Sequence, residues 1–176
     1  GESNGPRTMI DVVLDQIGRN MTLIPGRQAV CRVTLVNRKS QVDAAYVTVE
    51  GMPEQWIEGD NRDIHLQPWE RNDLELTINV PKAPSSLAKD YNVRIKANSR
   101  AQPAEEQGST DASWTVSPFD QLALEVTPSK AGARRHARYN VTIHNDSNHG
   151  TNCTLTASAE EKQLNLRLSE EGEKER

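Results

Sequence analysis

The sequence predicts an all-β chain: an antiparallel β-sandwich followed by a second, incomplete copy of its opening. Three observations carry this. Short runs of alternating apolar and polar residues recur along the chain, and a period of two marks a half-buried strand. No stretch sustains a 3.6-residue period, so almost no helix is expected. Finally, a string returns. Val33-Thr34-Leu35-Val36-Asn37 is echoed by Val141-Thr142-Ile143-His144-Asn145, 108 positions on, and at the same offset Ala45, Val47 and Val49 map onto Cys153, Leu155 and Ala157.

The elements follow in order. Residues 8–14 form a first strand with Ile10, Val12 and Leu14 on one face. Pro25-Gly26 turns the chain into 28–37, where Ala29, Cys31, Val33 and Leu35 share a face. A third strand, 45–50, stops at Gly51, and 52–57 crosses over and tucks Trp56 into the core. A short strand at 63–66 leads to the turn at Pro68-Trp69. Residues 73–80 alternate cleanly until Pro81 and Pro84, which cannot donate to a ladder. The sixth strand, 90–98, opens on Tyr91, the place for a tyrosine corner whose hydroxyl bonds back to the preceding loop. After a polar loop at 99–111, residues 112–117 give the seventh, with Ala112, Trp114 and Val116 in register. Seven short strands with turn signals between them read as a sandwich of the immunoglobulin or fibronectin III kind.

The pattern restarts after Pro118-Phe119-Asp120, a joint too short and too poor in Gly and Ser to be loose, with Phe119 placed to pack between the two parts. Leu122, Leu124 and Val126 are expected inward, then Tyr139, Val141 and Ile143, then Cys153 and Leu155, then Leu164, Leu166 and Leu168. The organisation is therefore 1–7, a linker or expression remnant; 8–118, a sandwich; and 119–176, part of a second one with a charged tail. The polar start without Met and the missing last strands suggest a piece of a longer protein, cut rather than completed by another chain.

Composition narrows the function. An apolar fraction of 35% with 4% aromatics suits small sandwiches built on Val, Leu and Ile. A net charge of -4 gives no reason to expect nucleic acid or an anionic membrane, and no apolar run is long enough to span a bilayer. Cys31 and Cys153 fall on different strands, each on an inward face, and read as buried free thiols. There is no phosphate-binding glycine loop, no nucleophile elbow and no zinc-protease motif. No enzyme activity and no cofactor or metal are expected. His65, His136, His144 and His149 read as solvated loop residues. Asp60, Asn61 and Asp63 hint at calcium without the EF-hand spacing. Two features stand out as interaction candidates. Trp69 sits in a turn between charged residues, either folded over the sandwich end or exposed to stack on a sugar ring or anchor a protein. Arg134, Arg135 and Arg138, with Lys130 and His136, form the one basic cluster, a solvated hairpin or a contact for an acidic partner.

Several segments together resemble a known family. Pro25-Gly26 before Val33-Thr34-Leu35-Val36-Asn37, then Val49-Glu50-Gly51-Met52-Pro53 with Trp56-Ile57, Leu66 with Pro68, Ala88-Lys89-Asp90-Tyr91, and Trp114-Thr115-Val116 with Pro118-Phe119 are similar to bacterial tandem immunoglobulin-like repeats. These include the NEW3-type domains associated with α-galactosidases and large membrane proteins that carry such repeats in series. Trp69 departs from the pattern, where Gly commonly follows the Pro. The resemblance implies a non-catalytic spacer or scaffold module of a multidomain bacterial protein, at the cell envelope or outside the cell rather than in the cytoplasm. Its partners would be other domains of the parent chain or another protein. A carbohydrate-binding role, with polysaccharide as ligand, and a scaffold role beside a phage-tail-like injection system are the alternatives. A bacterial source would make the glycosylation-type triplets at Asn20, Asn140, Asn145 and Asn152 irrelevant.

Overall fold

The structure, a computed structural model, describes residues 8–128 and 138–156. Eleven strands are present among them: β1 (Ile10–Leu14), β2 (Asn20–Leu23), β3 (Gln28–Asn37), β4 (Asp43–Glu50), β5 (Ile57–Glu58), β6 (Ile64–Leu66), β7 (Arg71–Asn79), β8 (Asp90–Ser99), β9 (Gly108–Val116), β10 (Leu122–Pro128) and β11 (Tyr139–Asn145). The first nine build an immunoglobulin-like sandwich of two sheets, β1-β3-β7-β5 facing β2-β9-β8-β4-β6. The last two form a separate antiparallel ribbon. Among the described residues helix is confined to one turn, α1 (Gln16–Arg19), and a 3-10 turn at Glu54–Trp56.

Alternation decides what each strand buries. Along β3, Cys31, Val33 and Leu35 point inward while Arg32 is exposed. They meet Leu74, Leu76 and Ile78 of β7 on the same sheet and Val47, Val93, Ile95 and Trp114 across the sandwich. Trp114 is fully buried and its indole N–H donates to the Gly18 carbonyl at 2.7 Å, so the largest core side chain keeps its one polar atom paired. Trp56 packs edge-on against Tyr91, with ring centroids 5.9 Å apart. The tyrosine corner forms as expected: the Tyr91 hydroxyl donates to the Leu87 carbonyl at 3.0 Å. Gly51 ends β4 at φ +97, with the Asn92 carbonyl 2.1 Å from where a Cβ would sit, so only glycine fits there.

Several sequence expectations change. The sandwich is not wholly antiparallel: β2 pairs with β9 in parallel. The chain leaves β1, turns through α1 under an Asp15 side chain that accepts from the Gly18 N–H at 2.8 Å, and rejoins the opposite sheet as β2. Two inward residues, Met21 and Leu23, are too few to show a period. Strand β9 also starts at Gly108, inside what reads as loop, because Gly108-Ser109-Thr110-Asp111 carries no apolar alternation. Finally, Cys153 is exposed, and 151–156 is not a strand. Leu122, Leu124 and Val126, expected inward, are 46%, 60% and 52% exposed, because among the described residues no sheet lies over the ribbon. The expected strand at 164–168 lies outside the described residues.

Candidate interaction sites at the two ends of the sandwich

Strand polarity places the loops 24–27, 81–89 and the segment after Val116 at one end of the sandwich. This end receives the corner that follows β11. Asn148 is 1% exposed although it lies in a polar loop. Its Nδ2 donates to the carbonyls of Ser86 and Ser117, both at 2.9 Å. Its Oδ1 accepts from the Phe119 N–H at 2.8 Å, and its own carbonyl accepts from the Ala88 N–H at 3.0 Å. A carboxamide offers two donors and an acceptor from one planar group, and here all are used. Beside it Ser147 Oγ accepts from the Gln121 N–H at 2.7 Å. Phe119 is half-buried, with the Lys82 ammonium 5.6 Å from its ring centre.

His149 closes the outer side of this joint. Its Nε2 lies 2.6 Å from Asp120 Oδ1 and its Nδ1 2.9 Å from the Gly150 carbonyl. The Gly150 carbonyl first, and the Asp120 carboxylate second, hold its pKa above the ordinary histidine value. His149 is thus not the free loop residue that the sequence suggests. His144 lies 3.2 Å from Glu125 on the ribbon.

The corner itself has a counterpart in the sandwich. Asn145 Oδ1 accepts from the Ser147 N–H at 3.1 Å, and its Nδ2 donates to the His149 carbonyl at 3.3 Å. Asn37 does the same with the Lys39 N–H at 3.0 Å and the Gln41 carbonyl at 2.8 Å. The strand registers agree as well: Ile10 faces Asn37 as Leu122 faces Asn145. The next amide bonds back in both cases, Arg38 to Met9 and Asp146 to Gln121.

Trp69 lies at the opposite end, in the turn 67–70. The Glu70 N–H donates to the Gln67 carbonyl at 3.0 Å, and Trp69 takes φ +62 at the third position, where glycine is the usual residue. Its N–H donates to the Asn37 carbonyl at 2.7 Å, while its side chain is 66% exposed. A bulky residue at positive φ is an outlier, and strain of this kind gathers at functional sites. Arg138 is exposed just before β11, at the ribbon end away from the corner, so it is not brought together with Trp69. Arg134 and Arg135 lie outside the described residues.

No group of three or more His, Cys, Asp or Glu among the described residues is placed to hold a metal ion. Asp63 is tied to Arg100 at 2.7 Å. Cys31 is buried, and burial pushes its thiol up to about 12. Among the described residues no helix is long and apolar enough to cross a membrane.

The sequence signals for the joint were weak, since Ser147, Asn148 and His149 are ordinary loop residues. The one usable clue was Asn145, which repeats Asn37 and so marks a corner.

No protein-family model and no curated protein matches this chain. Solved β-domains resemble it. A PapD-like domain of human CEP192 is 12% identical, with 66% of this chain and 89% of that one covered and a TM-score of 0.39. WR4, a member of the MSP family of C. elegans, is 11% identical over 63% of this chain and 100% of its own, with a TM-score of 0.40. The SrpA adhesin of Streptococcus sanguinis is 12% identical, with 64% and 59% covered and a TM-score of 0.43.

Proposed function

We propose that this chain is a non-catalytic β-sandwich module that acts as a spacer or scaffold in a longer multidomain bacterial protein, with β10–β11 as the opening of a second copy. One observation carries the reading: the corner at Asn145 repeats the two side-chain turn bonds of the corner at Asn37, in the same strand register, and seats against the sandwich that precedes it. A module repeated in series with a structured junction sets distance and direction for whatever it connects. Other domains of the parent chain, or another protein, are its partners in this reading.

The exposed, strained Trp69 favours a second reading, a carbohydrate-binding accessory domain with the indole as a platform. Pull-down on insoluble polysaccharides and a glycan array, run on the wild type and on Trp69→Ala, separate the two. The spacer reading expects no retention of either protein. Retention of the wild type that is lost in Trp69→Ala replaces it with the second.

A further inference from the structure

The end of the sandwich that carries the linker holds more order than a tether needs. Its loop 81–89 is fixed from several sides: the Tyr91 hydroxyl holds the Leu87 carbonyl, the Ser86 N–H donates to the Ala83 carbonyl, and the Val116 N–H donates to the Lys89 carbonyl. Fixed in this way, the loop and the start of the linker aim two carbonyls, of Ser86 and Ser117, and one N–H, of Phe119, at a single point. The Asn148 carboxamide occupies that point.

The corner does not need an asparagine there. At the matching position of the first corner stands Ser40, which is exposed, and that corner forms with the same two Asn37 hydrogen bonds. Asn145 alone makes the turn in the second corner. The identity of residue 148 is therefore set by what it meets across the boundary. Other side chains fail for definite reasons. A carboxylate would turn lone pairs on two carbonyls, a serine is too short to bridge three groups, and an apolar residue would leave all three unpaired, the Ser86 carbonyl in a buried place.

We infer that the linker end of the sandwich is a socket keyed to asparagine, shaped for the corner loop of a following β-sandwich, and that Asn148 fixes the angle between the two. The partner it fits is a β-sandwich in which the corner after the strand matching β3 carries Asn-x-x-Asn. This rests on the reading of β10–β11 as the start of such a sandwich. The consequence is a stiff series, in which direction set in one module passes to the next.

Distance distributions between spin labels test this on the full chain. Labels go on Arg62→Cys in the sandwich and Thr142→Cys in the ribbon, both exposed sites, in a Cys153→Ser background; Cys31 is buried and stays unlabelled. The wild type is expected to give one narrow distribution. Asn148→Ser, which copies the first corner, and Asn148→Asp should each broaden it at least twofold. Hydrogen exchange gives a second readout that does not depend on labelling. The amides of Phe119 and Ala88 should lose at least tenfold protection in Asn148→Ser, while the Trp114 amide keeps its own. A broad wild-type distribution, or variants as narrow and as protected as the wild type, overturns the socket. Either result would leave the spacer reading standing without the socket, whereas glycan retention through Trp69 would overturn the spacer and leave these distances unchanged.

Discussion

In β1 and β3, Ile10, Val12, Leu14, Val33 and Leu35 are at most 8% exposed; in β10 and β11, Leu122, Leu124, Val126, Val141 and Ile143 range from 36% to 60%. Both pairs share one register and end in the same asparagine corner. What differs is the opposing sheet: β8, β9 and β4 lie over the first pair, and no described strand lies over the second. Alternation and corner chemistry are thus enough to shape a two-stranded ribbon, while burial comes only from the layer above it. A lone ribbon is marginal in water, and the corner bonds to the sandwich are what anchor this one.

The largest effect that can break this comparison comes from matched truncations. Leu35 and Ile143 occupy the same place in the two pairs. Leu35→Ala removes a fully buried side chain and should cost about 2–5 kcal/mol. Ile143→Ala, at 36% exposure, should change stability by no more than about 0.5 kcal/mol. Urea unfolding followed by the buried Trp56 and Trp114 reads both. A comparable loss in Ile143→Ala would mean that the ribbon face is covered in solution, and the contrast would fall.

The corners allow a finer test. Besides the turn bonds, Asn37 Nδ2 lies 3.2 Å from the carbonyls of both Leu66 and Gln67, and the residue is fully buried. Asn37→Ala strands these acceptors and should cost about 2 kcal/mol. Asn145 serves only its own corner and is half-exposed, so Asn145→Ala should leave the sandwich transition within about 0.5 kcal/mol. Equal losses would show that the ribbon corner supports the sandwich as strongly as its own does.

How much of this could be read from the residues depends on what each feature is made of. Strand β3 was legible to its ends because its alternation is unbroken, and Tyr91 was legible because a tyrosine opening a late strand has a known use. Strand β2 was not, since Met21 and Leu23 give a single repeat of the period. Cys153 and Leu155 carry the pattern of β4 without forming a strand, because a pattern supplies a face and not the neighbour to pair with. The socket was the least legible part. It recognises Asn148 through backbone carbonyls and an amide, groups that nearly every residue carries, and so leaves no mark in the sequence of the loop that presents them.

A smaller effect attaches to the turn beside the first corner. Trp69 at φ +62 bears about 1–2 kcal/mol of backbone strain. Trp69→Gly relieves it and gives back about 0.5–1 kcal/mol through the freer unfolded chain. A net gain in stability of up to about 1.5 kcal/mol, read as a higher urea midpoint, is therefore expected. A loss larger than about 1 kcal/mol would mean that the indole is held by packing and not displayed, and would remove Trp69 as an interaction candidate.

The subtlest contrast lies between Gln41 and His149, which hold the same corner position. Both backbone carbonyls take the asparagine amide, but the His149 ring adds contacts to the Asp120 carboxylate and the Gly150 carbonyl, with the Thr151 hydroxyl farther off at 3.4 Å from Nδ1. The carboxylate and the carbonyl, the two nearer partners, are acceptors, and a neutral imidazole carries a single N–H. Only the imidazolium donates to both. Lys89 lines the same cleft and Lys82 lies over Phe119, while among the described residues Asp120 is the one charge bonded to the ring. With a folded pKa raised above the ordinary 6.5, the stabilising contribution is complete below that value and is lost as pH rises through the raised one. The joint should therefore be tightest in mild acid. The spin-label distribution should be narrower near pH ~5.5 than near pH ~8.5, and His149→Gln, which installs the first corner's residue, should erase the difference. An NMR titration that places His149 at or below 6.5 would show that the ring does not hold Asp120 in solution, and the joint would then rest on Asn148 and Ser147 alone.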